Sequence, residues 1–434
     1  MRKIIKCLGI IFFINFFDLV LYSQTTIDAE FRPRTEFRQG FRKPLADSLK
    51  AGFITFQRTR LNAMYKSKVL STYISLQDAR VWGASDLKTN TSKIELNEAW
   101  AEYLIMTGLS TQFGRQAINY DDRRLFSSPT WSNTGMAHDA LVVKYQLYGI
   151  NIHSGMSYNN AKDTLSDIAY SFSAKQNYKT LNYIWVEREL FPAAKISLIG
   201  VCDQFQNTKK ANTLYPRYTF GGNFFYASDS SSLGVTLTFY KQSGATPMKT
   251  YKNSNKVQTF AGLNAFFAAA KVSYKITDMF SPYLGAELYS GNPYTADSTD
   301  SKAFERLYGA PHSFNGYMEF FQTLPAQGLM DLNLGLGLKL SGKLKLDLNA
   351  HLFSFHEDFY YKKEKTDKSL GSEIDLTVNY TISKEIMLQA GYSRYFTNDA
   401  SEKYFKVSGV DVHTPQWAYL MMTIRPQLYK TPVN

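Results

Sequence analysis

The stretch DLNLGLGLKL at residues 331–340 decides the architecture. Leu332, Leu334, Leu336, Leu338 and Leu340 take every second position, with Asp331, Asn333, Gly335, Gly337 and Lys339 between them. A strand sends successive side chains to opposite faces, so this segment has one oily and one hydrophilic stripe. A helix would need spacings of three and four, and no long segment of the chain shows them. The same rhythm runs through Leu344, Leu346, Leu348, Ala350 and Leu352, and through Ile374, Leu376, Val378, Tyr380 and Ile382. Similar stretches lie at 233–240 and 386–395. Near the amino end, Asp28, Glu30, Arg32, Arg34, Glu36 and Arg38 fill one face. Ile27, Ala29, Phe31, Pro33, Thr35 and Phe37 fill the other.

Alternation alone also fits a soluble sandwich. Three features favour a membrane barrel. The strands are long, about 10–14 residues against a usual mode of about 5–6. Short connections, near Ser67, Thr107-Gly108, Gly149, Phe191-Pro192, Asp229-Ser230, Thr277-Asp278, Ser341-Gly342 and Ser383-Lys384, take turns with long ones. The long ones lie near 40–50, 81–92, 119–137, 159–178, 206–213, 244–255, 291–313, 357–370 and 398–415. Tyr and Phe recur near strand ends, as aromatic girdles require. The chain thus reads as all-β: a transmembrane up-and-down antiparallel β-barrel of about 18 strands, with short periplasmic turns and long extracellular loops. Closure has a simple cause. An open edge in lipid leaves unpaired N–H and C=O groups, each costing several kcal/mol. A barrel this wide keeps an aqueous channel unless loops fold into it. The last strand, 416–426, returns to the side where the first began, so both termini are expected in the periplasm.

Composition narrows the class. Of 434 residues, 44% are hydrophobic and 15% aromatic, which is too apolar for disorder. The chain lacks the several runs of roughly 20 apolar residues of a polytopic helical protein. Residues 1–23 read as a signal peptide, with Arg2, Lys3 and Lys6 ahead of an apolar run and small Ser23 at its end. The barrel domain is then 24–434. Cys7 falls in the leader and leaves Cys202, so no internal disulfide or cysteine zinc site is expected. The formal charge is +12, from 49 Lys and Arg against 37 Asp and Glu. For an exported chain this points away from nucleic acid and towards outer-membrane lipid, lipopolysaccharide and anionic or sugar-like solutes.

Arginine is the informative residue. Arg32, Arg34, Arg38, Arg58, Arg60, Arg80, Arg115, Arg123 and Arg124 cluster in the first third. An arginine facing the middle of the membrane costs about 2–4 kcal/mol, so these side chains are expected to point inward. A planar guanidinium fork suits carboxylate, sulfate or phosphate, and rings of charge confer selectivity. The rival reading is a cross-barrel ladder of salt bridges. Asp28, Glu30, Glu36, Asp78, Glu98, Glu102, Asp121 and Asp122 are available as its partners. Both readings stand at this point. The segment 119–137, with Pro129, Trp131 and Gly135, suits an ordered turn and is a candidate constriction within the lumen.

Catalytic and metal constellations are poor. His351 and His356 are five apart and face opposite sides of any strand. His138-Asp139 reads as a polar pair at a strand start. His356, Glu357 and Asp358 in one loop, and the acidic pieces 296–300 and 398–402, read as solvated loop before they read as metal sites. There is no Gly-x-Ser-x-Gly elbow, P-loop or His-Glu-x-x-His. No catalytic residue, metal or cofactor is expected.

Several segments resemble the alginate-export family of outer-membrane barrels, in a Bacteroidetes-type form. They are Phe56-Gln57-Arg58-Thr59-Arg60-Leu61, Gln77-Asp78-Ala79-Arg80-Val81-Trp82-Gly83 and Leu96-Asn97-Glu98-Ala99-Trp100. The most specific runs from Phe113-Gly114-Arg115-Gln116 through Tyr120-Asp121-Asp122-Arg123-Arg124-Leu125 and Trp131 to His138-Asp139-Ala140. Another joins Phe304, Leu307-Tyr308-Gly309, His312, Phe314 and Gly316-Tyr317-Met318-Glu319. The resemblance spans most of the chain after the leader. It implies an 18-stranded porin-like barrel with an arginine-rich lumen, which in type members passes an anionic uronate polymer. The expectation is a passive outer-membrane channel for anionic or sugar-like solutes, an acidic polysaccharide such as alginate among them. The alternatives are a plugged barrel that binds or assembles with a partner, and an outer-membrane lipid-modifying enzyme.

Overall fold

The computed structural model describes residues 23–432, except 87–93, 164, 166–169, 171–177, 208–209, 228–231, 253–254 and 296–298. The leader before Ser23, with Cys7, the turn at Asp229-Ser230 and part of the acidic piece 296–300 lie outside the described residues. Eighteen long strands form the wall. They are β1 (Gln24–Gln39), β2 (Gly52–Lys66), β3 (Leu70–Val81), β4 (Glu95–Met106), β5 (Leu109–Gln116) and β6 (His138–Leu147). Then follow β7 (Ile150–Tyr158), β8 (Thr180–Phe191), β9 (Ala194–Asn207), β10 (Lys210–Ala227), β11 (Leu233–Lys252) and β12 (Asn255–Tyr274). The circuit ends with β13 (Phe280–Tyr289), β14 (Leu329–Lys339), β15 (Leu344–Ser354), β16 (Ser369–Thr381), β17 (Ile386–Phe396) and β18 (Gln416–Ile424).

Each strand pairs antiparallel with its neighbours in sequence. The sheet closes where β18 meets β1, from Phe31 opposite Ile424 to Gln39 opposite Gln416. Arg425 and Pro426 interrupt that last strand. Gln427–Lys430 then resumes the pairing, with Thr26 opposite Lys430. Among the described residues every strand of the wall is paired on both sides over part of its length, which is what the hydrocarbon demands.

The alternation does what its pattern implied. On β14 Leu332 and Leu334 face out, Leu334 being 57% exposed, while Asp331 and Asn333 are buried on the inside. On β16, Ile374 and Leu376 face out and Glu373 and Asp375 face in. The short connections cluster at one end of the barrel and the long ones at the other. Two loops differ from the sequence reading. The segments 206–213 and 244–255 continue the ladders of β9–β10 and β11–β12 as tall hairpins. The loop after β13 runs on to 328, well past 313. Its start covers the exposed edge of β12, where Gly262 and Leu263 pair parallel with Asp300 and Ser301.

The lumen is not empty. The loop 117–137 and the loop 290–328 both fold inward and meet. Ser127 N–H donates to the Tyr308 carbonyl at 3.0 Å, and Tyr308 N–H to the Leu125 carbonyl at 2.8 Å. Around them lies an aromatic core that includes Phe126, Phe267, Tyr289, Phe304, Phe321, Phe353, Tyr395 and Trp417. A short helix in the loop 397–415, α1 (Asp399–Phe405), lays Tyr404 and Phe405 over Phe355 and Phe320 as a partial roof. Asn398 caps this helix, accepting from Ser401 N–H. The acidic piece 398–402 is therefore helix cap and first turn.

Candidate functional site: the arginine wall and the lumen constriction

β1 and β2 run side by side in a register that sets Arg32 opposite Arg58 and Glu30 opposite Arg60. Their charged stripe forms one wall of the lumen. Like charges opposed in this way need another partner, and the loop 117–137 supplies it. Arg32 donates to the carbonyls of Thr130, Trp131 at 3.1 Å and Ser132 at 2.8 Å. Arg34 donates to the Trp131 carbonyl at 2.6 Å, and Arg58 to that of Ser132 at 2.9 Å. Three guanidiniums thus clamp three successive carbonyls. Carboxylates take part as well: Glu36 receives Arg34 at 2.8 Å and Arg38 at 2.9 Å, and Glu30 receives Arg58 and Arg425.

A second, acidic stretch of the wall, on β13, β14 and β16, grips the second loop. Met318 N–H donates to Glu373 Oε1 at 2.8 Å. Asn315 Nδ2 donates to both Glu287 and Asp331 at 3.0 Å. His351 Nδ1 lies 3.0 Å from Asp331. Gly316 has φ +83°, and a Cβ there would sit 2.6 Å from the Glu373 carboxyl, so the close approach requires glycine. Arg124, in the first loop, reaches across to Glu287 with two bonds of 2.8 Å, pairs with Asp122, and lies 3.7 Å from the centroid of Phe314. Its guanidinium is wholly buried. Burial disfavours the charge, but Glu287, Tyr289 and Asp122 more than compensate and hold its proton tightly.

Where the two loops touch, four side chains form a column across the lumen. The Arg34 guanidinium lies 3.9 Å from the centroid of Trp131. The Trp131 ring stacks on His312 at 4.3 Å and 10°. His312 stacks on Tyr317 at 5.4 Å. Trp417 and Tyr419 pack edgewise against Trp131. His312 Nδ1 lies 3.0 Å from Glu319, which also receives Arg42 at 2.5 Å. Burial pushes the Glu319 carboxyl up, but His312 and Arg42 outweigh it and hold it below the usual carboxylate range. Burial raises the Tyr317 hydroxyl to about 12.

The column separates two cavities that share Trp131 and His312. One, of about 450 Å³, opens towards the long loops and is lined by Arg34, Arg38, Arg42, Glu36 and Glu319. The other, of about 360 Å³, lies towards the short turns and is lined by Arg32, Arg425, Asp347 and Tyr317. A third, of about 280 Å³, shares Ser313 and Tyr317 with the second and carries Arg124, Lys271 and Glu287.

Not every arginine joins this site. Arg32, Arg34, Arg38, Arg58, Arg60 and Arg124 face inward; Arg60 donates to Gln77 at 3.0 Å. Arg80 and Arg115 do not, which corrects the expectation for both. Arg80 lies opposite Gln57 on the face of Ile74 and Leu76, both exposed, and pairs with Asp78 on that same outer face. Arg115 shares a face with Phe113, which is 69% exposed, and pairs with Asp139 at 3.2 Å. Both pairs sit where their strands end at the long loops, and there the penalty for an outward arginine falls to about 0–1 kcal/mol. Asp78 is therefore no lumen partner. Arg123 is exposed in its loop, with φ +66°. Of the acids, Glu98 accepts from Ala117 N–H at 3.0 Å, Glu102 from Lys144 at 3.1 Å, Asp121 from Trp185 at 2.9 Å and Asp28 from Asn62 at 2.7 Å. The sequence reading missed Arg42, Arg217, Arg425, Glu287, Glu319, Asp331, Glu373 and Asp375. The last four sit on hydrophilic stripes or within the resemblance segments, but nothing local marks which polar residue grips a loop. In the outer loop, His356 lies 3.4 Å from Glu357, while Asp358 pairs with Lys365 and Lys368. Among the described residues no group of three or more His, Cys, Asp or Glu is placed to hold a metal ion.

Three comparisons bear on this arrangement. A family model described as "Alginate export" matches residues 26–407. Among solved structures, OccAB1 of Acinetobacter baumannii superposes with a TM-score of 0.59 at 11% identity, over 95% of this chain and 99% of that one. OccK10 (OpdN) of Pseudomonas aeruginosa gives 0.58 at 10% identity, over 93% and 99%. The outer membrane protein opdK of Pseudomonas aeruginosa gives 0.58 at 11%, over 94% and 99%. At such identities the likeness is one of fold. No curated protein matches the chain.

Proposed function

Because the chain belongs to the alginate export family, a family of transport barrels, we propose that it is a passive outer-membrane channel for anionic or sugar-like solutes. One observation carries this reading. Guanidinium groups stand on both sides of the constriction, Arg38 and Arg42 in the long-loop cavity and Arg32 and Arg425 in the short-turn cavity. A pathway whose walls carry an excess of one sign of charge raises the local concentration of the opposite ion. The guanidiniums that keep surface open to the lumen, those of half-buried Arg38 and of exposed Arg42 and Arg425, are the ones that meet solute. The buried ones, Arg32, Arg34 and Arg58, hold the loop in place. Passage needs no cofactor and no energy input. In this reading the leader 1–23 directs export, both termini lie in the periplasm, and the outward pairs Arg80–Asp78 and Arg115–Asp139 stand at the lipopolysaccharide headgroups. An acidic polysaccharide such as alginate is a cargo of the right charge. OpdK has been solved with vanillate, an aromatic acid, and a solute of that kind fits the same charge logic.

The second reading, a plugged barrel that holds a partner, draws on the pairing of the two inward loops through Leu125 and Tyr308. Planar bilayers separate the two. The channel reading expects stepwise conductance with a reversal potential favouring anions, reduced in R42Q and R425Q. Silent bilayers containing correctly folded, heat-modifiable protein would leave the plugged reading standing.

A further inference from the structure

The outer surface of the barrel carries a cationic pair that the lumen does not use. Arg80 and Arg115 stand on the outward face at the long-loop ends of β3 and β5, with β4 between them. Two inter-strand spacings, roughly 10 Å, separate their strands. Along the strands the two residues start at different levels, because Arg115 lies opposite Ala99, and Ala99 lies opposite Ile74, well before Arg80. The side chains close that gap. Arg115 reaches up to the Leu96 carbonyl at 3.2 Å, and Arg80 bends back to Asp78.

Neither guanidinium is used up. Asp78 takes only Nε of Arg80, while Leu96 takes Nε of Arg115 and Asp139 takes its Nη1. Among the described residues, both Nη groups of Arg80 and Nη2 of Arg115 have no protein partner, and the two side chains are 44% and 39% exposed. A guanidinium fork of this kind accepts phosphate oxygens with good geometry. Beneath the pair the wall forms an apolar trough. Ala99 and Ala101 are its floor on β4, Ile74 stands beside Ala99 on β3, and Phe113 stands beside Ala101 on β5. Ile74 and Phe113 are exposed, so two large side chains rim a floor of small ones. Next to Arg80 the exposed Trp82 ring donates to Gln57 at 3.0 Å, an aromatic placed where head groups begin.

Cationic forks above an apolar trough match a phosphorylated, acylated lipid lying against the wall. The spacing narrows the choice further. A glycerophospholipid brings one phosphate and leaves one fork empty, whereas two forks on strands roughly 10 Å apart call for a broad head group with two phosphates. We propose that the outward surface of β3, β4 and β5 binds one lipopolysaccharide molecule, with lipid A phosphates on Arg80 and Arg115 and an acyl chain in the trough over Ala99 and Ala101. This rests on the part of the channel reading that sets the long loops outside, and it adds a site on the far side of the wall from the pathway. Asp78 and Asp139 aim the two guanidiniums and do not themselves meet the phosphates.

Native mass spectrometry of the folded full-length barrel in detergent tests this without requiring conduction. Bisphosphorylated lipid A, monophosphorylated lipid A and phosphatidylglycerol are the probes, and heat-modifiable gel migration reports folding. One bisphosphorylated lipid A per barrel is expected, bound at least tenfold more tightly than either other lipid. R80Q and R115Q are each expected to bring its affinity down to that of the monophosphorylated form. D139N is expected to bind at least as tightly as the parent. Equal affinity for the three lipids would overturn the proposal, as would folded R80Q and R115Q proteins that bind like the parent. Loss of binding in D139N would overturn it too, since the phosphate would then be held through a divalent cation on the carboxylate. So would a mass increment of a second barrel in place of the lipid. If bilayers stay silent while lipid A binds as expected, the channel reading fails and the site remains. If anion-selective conductance appears without such binding, the site fails and the channel remains.

Discussion

Arg32 has no carboxylate among its hydrogen-bond partners. Its charge is set against the carbonyls of Thr130, Trp131 and Ser132, almost a hundred residues away in sequence. Charge-assisted bonds contribute roughly 1.5–3 kcal/mol each. R32Q is therefore expected to loosen the segment 117–137 while leaving the wall intact. Limited proteolysis in the first loop should speed up several-fold and single-channel conductance should rise, with unchanged gel migration. Arg124 behaves differently, because its loss strands a buried carboxylate. R124Q leaves Glu287 without its main cationic partner, at a cost of about 3–5 kcal/mol. The melting temperature of the inner loops, followed by near-ultraviolet circular dichroism, should fall accordingly.

Glu319 supplies the pH dependence at this scale. Its carboxyl is held below the usual range in the folded protein, so its stabilising effect is complete above that range. It is lost as pH falls through the lowered value. Conductance is expected to step up on acidification only below the ordinary glutamate range of about pH 4.3, as the lowered value is crossed. E319Q should show the raised conductance at neutral pH and lack that step. A residue-scale reading of the sequence could find the arginines but not their orientation. Arg80 and Arg115 occupy alternating positions like the others, and the penalty that seemed to force them inward fades near the strand ends, where Asp78 and Asp139 meet them.

Among the elements, strands were readable and loops were not. Each strand carries its own period of two, and β14 announces its two faces without help from any other segment. A loop's path depends on partners far away. The segment 119–137 offered Pro129, Trp131 and Gly135 as signs of order, and it does enter the lumen. The loop 290–328 gave no comparable local signal, because its anchors, Glu287, Asp331 and Glu373, belong to three separate strands. The closest of these contacts is at Gly316. G316A places a methyl against Glu373 and forces a left-handed backbone onto alanine. The loop around 315–319 should shift off the acidic wall, seen as higher conductance and faster proteolysis after residue 310, with the barrel still resisting denaturation before heating.

For the whole molecule, the division between oily exterior and charged interior is the organising fact, and it can be tested at adjacent positions. Leu334 faces out at mid-strand and Asn333 faces in. L334R should destabilise folding into lipid vesicles by about 2–4 kcal/mol, measured by urea titration. N333R should change ion selectivity with a far smaller effect on stability. The interior also departs from a simple open pore. An 18-stranded wall is too wide for its own side chains to fill, and here two loops and an aromatic core take up that room.

The seam between β1 and the chain's last paired residues has a temporal meaning. Thr25 and Thr431 hydrogen-bond across 406 positions, and Ile27 lies opposite Tyr429. Until Gln427–Lys430 arrives, the lower half of the first strand has no neighbour on one side, so the cylinder cannot be sealed piecemeal as the polypeptide is delivered. Contacts this distant in sequence form late and slowly. A chain cut after Pro426 should therefore stall as an unsealed intermediate, open to degradation, even though it keeps every residue of the constriction.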